Sequence, residues 1–262
     1  MSPSKNMITV VMGSFGVGKT HWIQQQLKES QDNNFYYYSP KTNTFPLDGA
    51  FLQSIHQDLS IVDVQSPQDL IELSQKNHIY LEVPEYVDYA PIKDLFEKLN
   101  AQVIAIVSPT ENQDKWKSLV NKIIINQTIT IKPHLQNFSD LQIHRANLTK
   151  EVLDFSSLET FWQELTLGAY GDILRAKGIF NIMDGQCIYG EYLQNSYSPD
   201  FYPLNLPLSL EGRPTHFSGL EIIGFNLDKK AMADTLGDFC LDDSAVYFYQ
   251  QQVKQSLTSN TA

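Results

Sequence analysis

The stretch that most limits what this chain can fold into is Gly13-Ser-Phe-Gly-Val-Gly-Lys-Thr20. It fits the pattern G-x-x-x-x-G-K-[ST]. The β-branched run Ile8-Thr-Val-Val-Met12 leads straight into it, and Trp22, Ile23 and Leu27 follow at helical spacing. A buried strand, a glycine turn and a helix are therefore expected in immediate succession. Glycines let the turn aim successive backbone amides inward, and the helix adds the positive end of its dipole. That combination holds phosphate oxygens. Lys19 is placed to reach β- and γ-phosphates, and Thr20 to hold Mg²⁺. Gly13, Ser14, Gly16, Val17, Gly18, Lys19 and Thr20 are thus the candidate nucleotide-binding residues, with Mg²⁺ and GTP or ATP as the implied cofactors.

Further apolar runs lie at Leu59 to Val64, His78 to Val83, Val103 to Val107 and Ile123 to Ile125. Helix-like stretches, Gln68 to Gln75 and Ile92 to Asn100, fall between them. Tyr36-Tyr37-Tyr38 reads as a strand after the first helix. Strands alternating with helices predict an α/β fold with a parallel sheet covered on both faces.

The texture changes between residues 136 and 150, where Asn137, Ser139, Asp140, Asn147 and Thr149 suggest a linker, although Leu141 to His144 also suits a last strand. Ser156-Ser-Leu-Glu159 has a capping-box pattern, and Leu158, Phe161, Trp162 and Leu165 continue as one helical face. Ile173 to Met183, Cys187 to Leu193 and His216 to Phe225 read as strands. Leu227 to Leu241 reads as a second helix. The expected organisation is a nucleotide-binding domain over 1–150, a smaller α+β domain over 151–250, and a polar, frayed tail over 251–262.

The formal charge of −11 argues against nucleic acid and anionic membrane as partners, because phosphates are repelled. No apolar run nears the roughly 20 residues that span a bilayer. Met7 to Met12 runs into the glycine loop without a signal-peptide cleavage pattern. Cys187 and Cys240 lie far apart and form no CxxC pair, which fits a reducing, cytoplasmic compartment. His21, His56, His78, His134, His144 and His216 show no metal-ligand spacing.

Three further regions, the last in two stretches, give the chain a family resemblance. Ile79-Tyr-Leu-Glu82-Val-Pro-Glu85-Tyr-Val-Asp88-Tyr-Ala90-Pro91 is similar to an acidic strand running into a switch. Ile124-Ile125-Asn126-Gln127-Thr128-Ile129-Thr130 is similar to a base-recognition segment of the form L-N-K-T-D-L. Leu174-Arg-Ala-Lys-Gly-Ile-Phe180 and Leu220-Glu-Ile-Ile-Gly224-Phe-Asn-Leu-Asp228 are similar to Y-R-A-K-G-F and F-I-G-R-N-L-D. Taken in order with the glycine loop, they resemble the CobW-type GTPases, relatives of the nickel-delivery proteins HypB and UreG. The resemblance implies a P-loop domain followed by a smaller CobW C-terminal-like α+β domain. It also implies that Asn126 contacts the nucleotide, that Lys19 and Glu82 are the catalytic candidates, and that Thr20 and Glu82 hold Mg²⁺ through the nucleotide. A client protein would dock on the C-terminal domain under control of the nucleotide state.

The departures from that family are specific. The stretch from Asn33 to Gln75 contains no cysteine, so the family's C-x-C-C metal motif is absent. Glu85 stands where the family's switch carries glycine, and a carboxylate there repels a γ-phosphate. Gln127 and Ile129 replace the lysine and aspartate of the base segment, and Ile129 accepts no guanine N–H. Guanine preference, metal carriage and fast hydrolysis are therefore not expected. Asp63 is a competing acidic strand end, and Asp88 reads as a turn residue. Arg175 and Lys177 are either surface charges or contacts for a partner or for the nucleotide domain. A pseudo-GTPase binding module and a P-loop phosphotransferase are the alternatives to a nucleotide-controlled accessory protein.

Overall fold

The computed structural model describes residues 7–30, 34–40, 45–64, 66–84, 87, 89, 92–127, 140–194 and 201–259. The chain divides into two compact units, Met1–Phe138 and Ser139–Ala262.

In the first unit the glycine loop joins β1 (Ile8–Gly13) to α1 (Lys19–Glu29). All of β1 is buried, as a central strand covered on both faces must be. Then come β2 (Phe35–Tyr38), α2 (Leu47–Ile55), β3 (Leu59–Ile61) and α3 (Pro67–Ser74). The remaining elements are β4 (His78–Glu82), α4 (Lys93–Lys98), β5 (Gln102–Val107), α5 (Asp114–Lys117) and β6 (Lys122–Ile125). The strands form one sheet in the order β3-β2-β4-β1-β5-β6, every pair parallel. β4 leads to β5 on the far side of β1, so the connections change direction at β1, where the carboxyl ends of an open sheet leave a crevice. Val11 on β1 is in register with Glu82 on β4, which brings that acid beside the glycine loop. α3 begins with a capping box: Ser66 Oγ accepts from the Asp69 amide at 3.3 Å, and the Ser66 amide donates to Asp69 Oδ2 at 2.9 Å.

The second unit holds β7 (Gln142–Asn147), α6 (Phe155–Thr166), β8 (Asp172–Asn181) and β9 (Cys187–Leu193). It continues with β10 (Tyr202–Pro203), β11 (Gly219–Phe225), α7 (Lys229–Asp238) and α8 (Asp243–Ser259). Its sheet runs β10-β9-β8-β11-β7, with every pair antiparallel. Leu158, Phe161, Trp162 and Leu165 of α6 and Met232 and Leu236 of α7 pack with Ala176, Phe180, Leu220 and Ile222 in one core. Six-residue β7 therefore belongs to this sheet, through its pairing with β11, and the boundary lies at 138/139 instead of 150. β7 is a half-buried edge strand, and its polar residues have the composition of a linker.

Three other expectations are corrected. The α6 N-cap is Asp154, whose Oδ1 accepts from the Ser157 amide at 2.8 Å and from Ser157 Oγ at 2.7 Å, so Ser156 and Glu159 form no capping box. Asp154→Ala is expected to lower the unfolding free energy by about 1 kcal/mol in denaturant titration; an unchanged midpoint would show that the cap contributes nothing. The stretch 251–259 continues α8 as helix. Its anchors are polar: Gln250 Nε2 donates to the Ser209 and Gly212 carbonyls at 3.0 and 2.7 Å, and Lys254 pairs with Glu211 at 2.7 Å. A search for apolar periodicity finds no such anchor. Arg175 and Lys177 are not surface charges, because both are buried on β8.

Candidate phosphate-binding site

The loop has the backbone its glycines imply. Gly16 and Gly18 have φ of 63° and 84°, and Gly18 is the N-cap of α1 with no side-chain cap. The first-turn amides of α1 thus have no side chain of their own cap competing for them, the arrangement an anion site needs. At Gly13 a Cβ would stand 2.2 Å from the Ile106 carbonyl oxygen and 2.8 Å from Val17 Cγ2, so only glycine fits between β5 and the loop.

Lys19 is buried, and its Nζ donates to the Gly13 and Ser14 carbonyls at 3.2 Å each. Both are carbonyls of the loop itself, and a phosphate oxygen can replace such long bonds. Thr20 is also buried. Its Oγ1 lies 3.1 Å from both oxygens of Glu82 and 3.3 Å from Asp48 Oδ1. With one proton it donates to one of them at a time. Tyr37, on β2, donates its hydroxyl to Glu82 Oε2 at 3.1 Å. Burial above all, then the charges of Glu82 and Asp48, holds the Tyr37 pKa well above the usual phenol value, so it remains a donor. The donor set of Thr20, Glu82 and Asp48 is wholly oxygen and suits a hard cation such as Mg²⁺. Thr20, Glu82 and Asp48 would hold Mg²⁺, which would neutralise charge on a bound phosphate.

Asp48 escaped the sequence reading. It sits in the first turn of α2, in Leu47-Asp-Gly-Ala, a helix whose apolar face is Leu47, Phe51, Leu52 and Ile55 and which the sequence reading does not include. Tyr37 was placed on a strand with no role at the site. The signal for both is topological: β2 lies next to β4, so a residue on β2 reaches the acid at the end of β4. Asp63 follows β3, at the sheet edge, and is exposed, where its charge raises the Tyr38 pKa after burial has done so. It is not brought to Thr20. Glu85, Asp88, Ile129 and His134 lie outside the described residues.

Asn126 follows β6, and its side-chain amide donates to the Val17 carbonyl at 3.1 Å, tying the segment after β6 to the glycine loop. A second set of contacts, unforeseen in the sequence, gathers at Ser14. Glu111 Oε1 accepts from Ser14 Oγ at 2.5 Å and from Trp116 Nε1 at 3.0 Å, and pairs with Lys115 at 2.6 Å. Lys115 Nζ is also 3.2 Å from Ser14 Oγ. Tyr89 donates to the Gly13 carbonyl at 3.3 Å and packs on Trp116 with ring centroids 5.3 Å apart.

The two cysteines are poor ligands as they stand. Burial pushes the Cys187 thiol up to about 12, and burial, with the charge of Glu151, pushes Cys240 to about 11. Among the described residues no three of His, Cys, Asp and Glu cluster as a metal shell requires, and no helix is long and apolar enough to cross a membrane.

No family model matches the sequence, and no curated protein matches it significantly. Two solved structures are similar over most of the chain. One is the Zn(II)-bound YjiA GTPase from E. coli, 15% identical, covering 89% of this chain and 98% of its own, with a TM-score of 0.33. The other is a Zn(II)-bound triple mutant of YjiA GTPase, 14% identical, with the same coverage and TM-score. Likeness of this degree adds nothing to the α/β assignment, which rests on the strand orders above.

Proposed function

We propose that the first unit binds a nucleoside triphosphate or diphosphate with Mg²⁺, and that the nucleotide state controls docking of a client protein. The observation that carries the binding reading is one constellation: a phosphate loop ending on an αL glycine, a buried Lys19 across its mouth, and Thr20 between Glu82 and Asp48. Glu82, held by the hydroxyls of Thr20 and Tyr37, is positioned as a cation ligand instead of a mobile base. The client role follows the CobW-type resemblance. Loss of a terminal phosphate would release one arrangement of the switch and shift the population toward another.

Calorimetry with ATP, ADP, GTP and GDP, with and without Mg²⁺, tests the binding. All four are expected to bind in the presence of Mg²⁺, with guanine favoured over adenine by less than about a hundredfold, because no base-specific acid stands at Ile129. Glu82→Ala is expected to remove most of the Mg²⁺ dependence while leaving metal-free binding close to wild type. Absence of binding to any of the four would overturn the reading. A thousandfold guanine preference would show that another residue reads the base.

A second reading has its own support. The resemblance sets Glu85 where the family's switch carries glycine, and a carboxylate there would repel a γ-phosphate, which favours a pseudo-GTPase binding module. Turnover well below the 1 to 1000 per second of roughly typical enzymes is expected under that reading. Phosphate release measured with each triphosphate separates the two.

A further inference from the structure

Two ammonium groups contact Ser14. Lys19 donates to its carbonyl at 3.2 Å, and Lys115 lies 3.2 Å from its hydroxyl. In a loop of this kind the first lysine marks where the β- and γ-phosphates sit. The second arrives from the segment after β5. Its side chain is 53% exposed, so its stem has room to swing.

What holds Lys115 at rest is Glu111, whose side chain is only 9% exposed. One oxygen of that carboxylate faces Lys115, Ser14 and Trp116 together. Burial works against its charge, but the hydrogen bonds from Lys115, Ser14 and Trp116 outweigh burial and hold the carboxyl below the usual range. An anion therefore sits against the phosphate loop, neutralised mainly by one movable cation. A terminal phosphate adds negative charge close to that anion and competes for the same ammonium. A diphosphate lacks the group that would do so.

We propose that, in a site binding nucleotide as set out above, Lys115 is a second cation for the terminal phosphate, held in reserve on Glu111 and drawn off it by a triphosphate. The transfer has a built-in reporter. Lys115 Nζ stands 4.9 Å from the centroid of the buried Trp116 ring, whose Nε1 donates to Glu111. Moving the ammonium takes a charge from the ring face and alters the acceptor of its N–H. Trp116 also packs on Tyr89, which donates to Gly13, so the change reaches a residue of the segment after β4.

The test uses the full chain, Mg²⁺, a non-hydrolysable triphosphate and the matching diphosphate. Lys115→Met is expected to weaken the triphosphate by about tenfold and the diphosphate by less than twofold, the loss of one charge-assisted contact. Glu111→Gln is expected to shift the ratio the other way, because the reserve partner and the repelling charge are both gone. Triphosphate, but not diphosphate, is expected to change the tryptophan fluorescence of the wild type, and Trp116→Phe to abolish that change. An unchanged triphosphate-to-diphosphate ratio in both charge variants overturns the role of Lys115 while leaving nucleotide binding intact. A wild type that binds neither nucleotide overturns the reading beneath it as well.

Discussion

Lys19→Ala is expected to weaken nucleotide binding by roughly a hundredfold, the equivalent of about 3 kcal/mol, while leaving the fold as stable as before. The two halves of that expectation have one cause. The ammonium is buried and donates to the Gly13 and Ser14 carbonyls at 3.2 Å, long for bonds from a charged donor. Burial costs the charged group its solvation, and its contacts in the loop offset that cost. Alanine removes cost and bonds together. With nucleotide, the same group faces phosphate oxygens, and its loss is felt in full. Calorimetry reads the affinity, and thermal unfolding with and without nucleotide reads both at once, because a bound ligand raises the midpoint in proportion to RT ln(1 + [L]/Kd). The ligand-free midpoint should hold, and the ligand-induced rise should collapse. A variant that binds as well as wild type would place the phosphates elsewhere. A variant that unfolds would make Lys19 a structural residue.

The parts of the first unit that were legible in the sequence share a physical signature. β1, β4 and β5 are buried on both faces and read as unbroken apolar runs. β9 was read at Cys187–Leu193 and is found there. Elements held by polar contacts left no such trace. β7 is an edge strand in a stretch that Asn147 and Thr149 mark as a linker, with Leu141 to His144 as the strand alternative, and α8 runs on through Gln250 and Lys254. In α6 the periodic face was right, but two serines lay within reach of the start, and the cap fell to Asp154 just before them.

At the site the division is similar. A local motif announces Gly13 to Thr20, because phosphate binding constrains consecutive residues. Asp48, Tyr37, Glu111 and Lys115 come to the site through the folded sheet, from separate helices, loops and strands, and no spacing in the chain joins them to the loop. Trp116 and Glu111 illustrate the loss: five residues apart on a short helix and its lead-in, they look like ordinary surface punctuation until β5 places them against Ser14.

Glu221→Ala is expected to cost the second unit about 3 kcal/mol, a fall in midpoint of roughly 10 °C. The strand registers align Arg145, Glu221, Lys177 and Glu191 across β7, β11, β8 and β9, a row of alternating charge. Glu221 is its centre. One carboxylate oxygen takes Arg145 Nε and Nη2 at 2.8 Å, and the other takes Arg175 Nη2 at 2.7 Å. The side chains of Glu221 and Arg175 are 11% and 10% exposed, so solvent screens them little and added salt should not erase the loss. Arg145, at 26%, can turn toward water; Arg175 is too enclosed to do the same. Most of the cost should therefore come from breaking the enclosed Glu221–Arg175 pair with its buried guanidinium charge, and less from the more exposed Arg145 contact. The double variant Glu221→Leu with Arg175→Met removes that charge along with its partner. It should be more stable than Glu221→Ala, since a buried pair replaced by apolar groups loses little, whereas half a pair loses much. Denaturant titration of the two variants decides the matter. A Glu221→Ala loss that vanishes in 1 M salt, or a double variant less stable than the single one, would mean that the row is screened surface charge and that packing, not charge, makes Glu221 necessary.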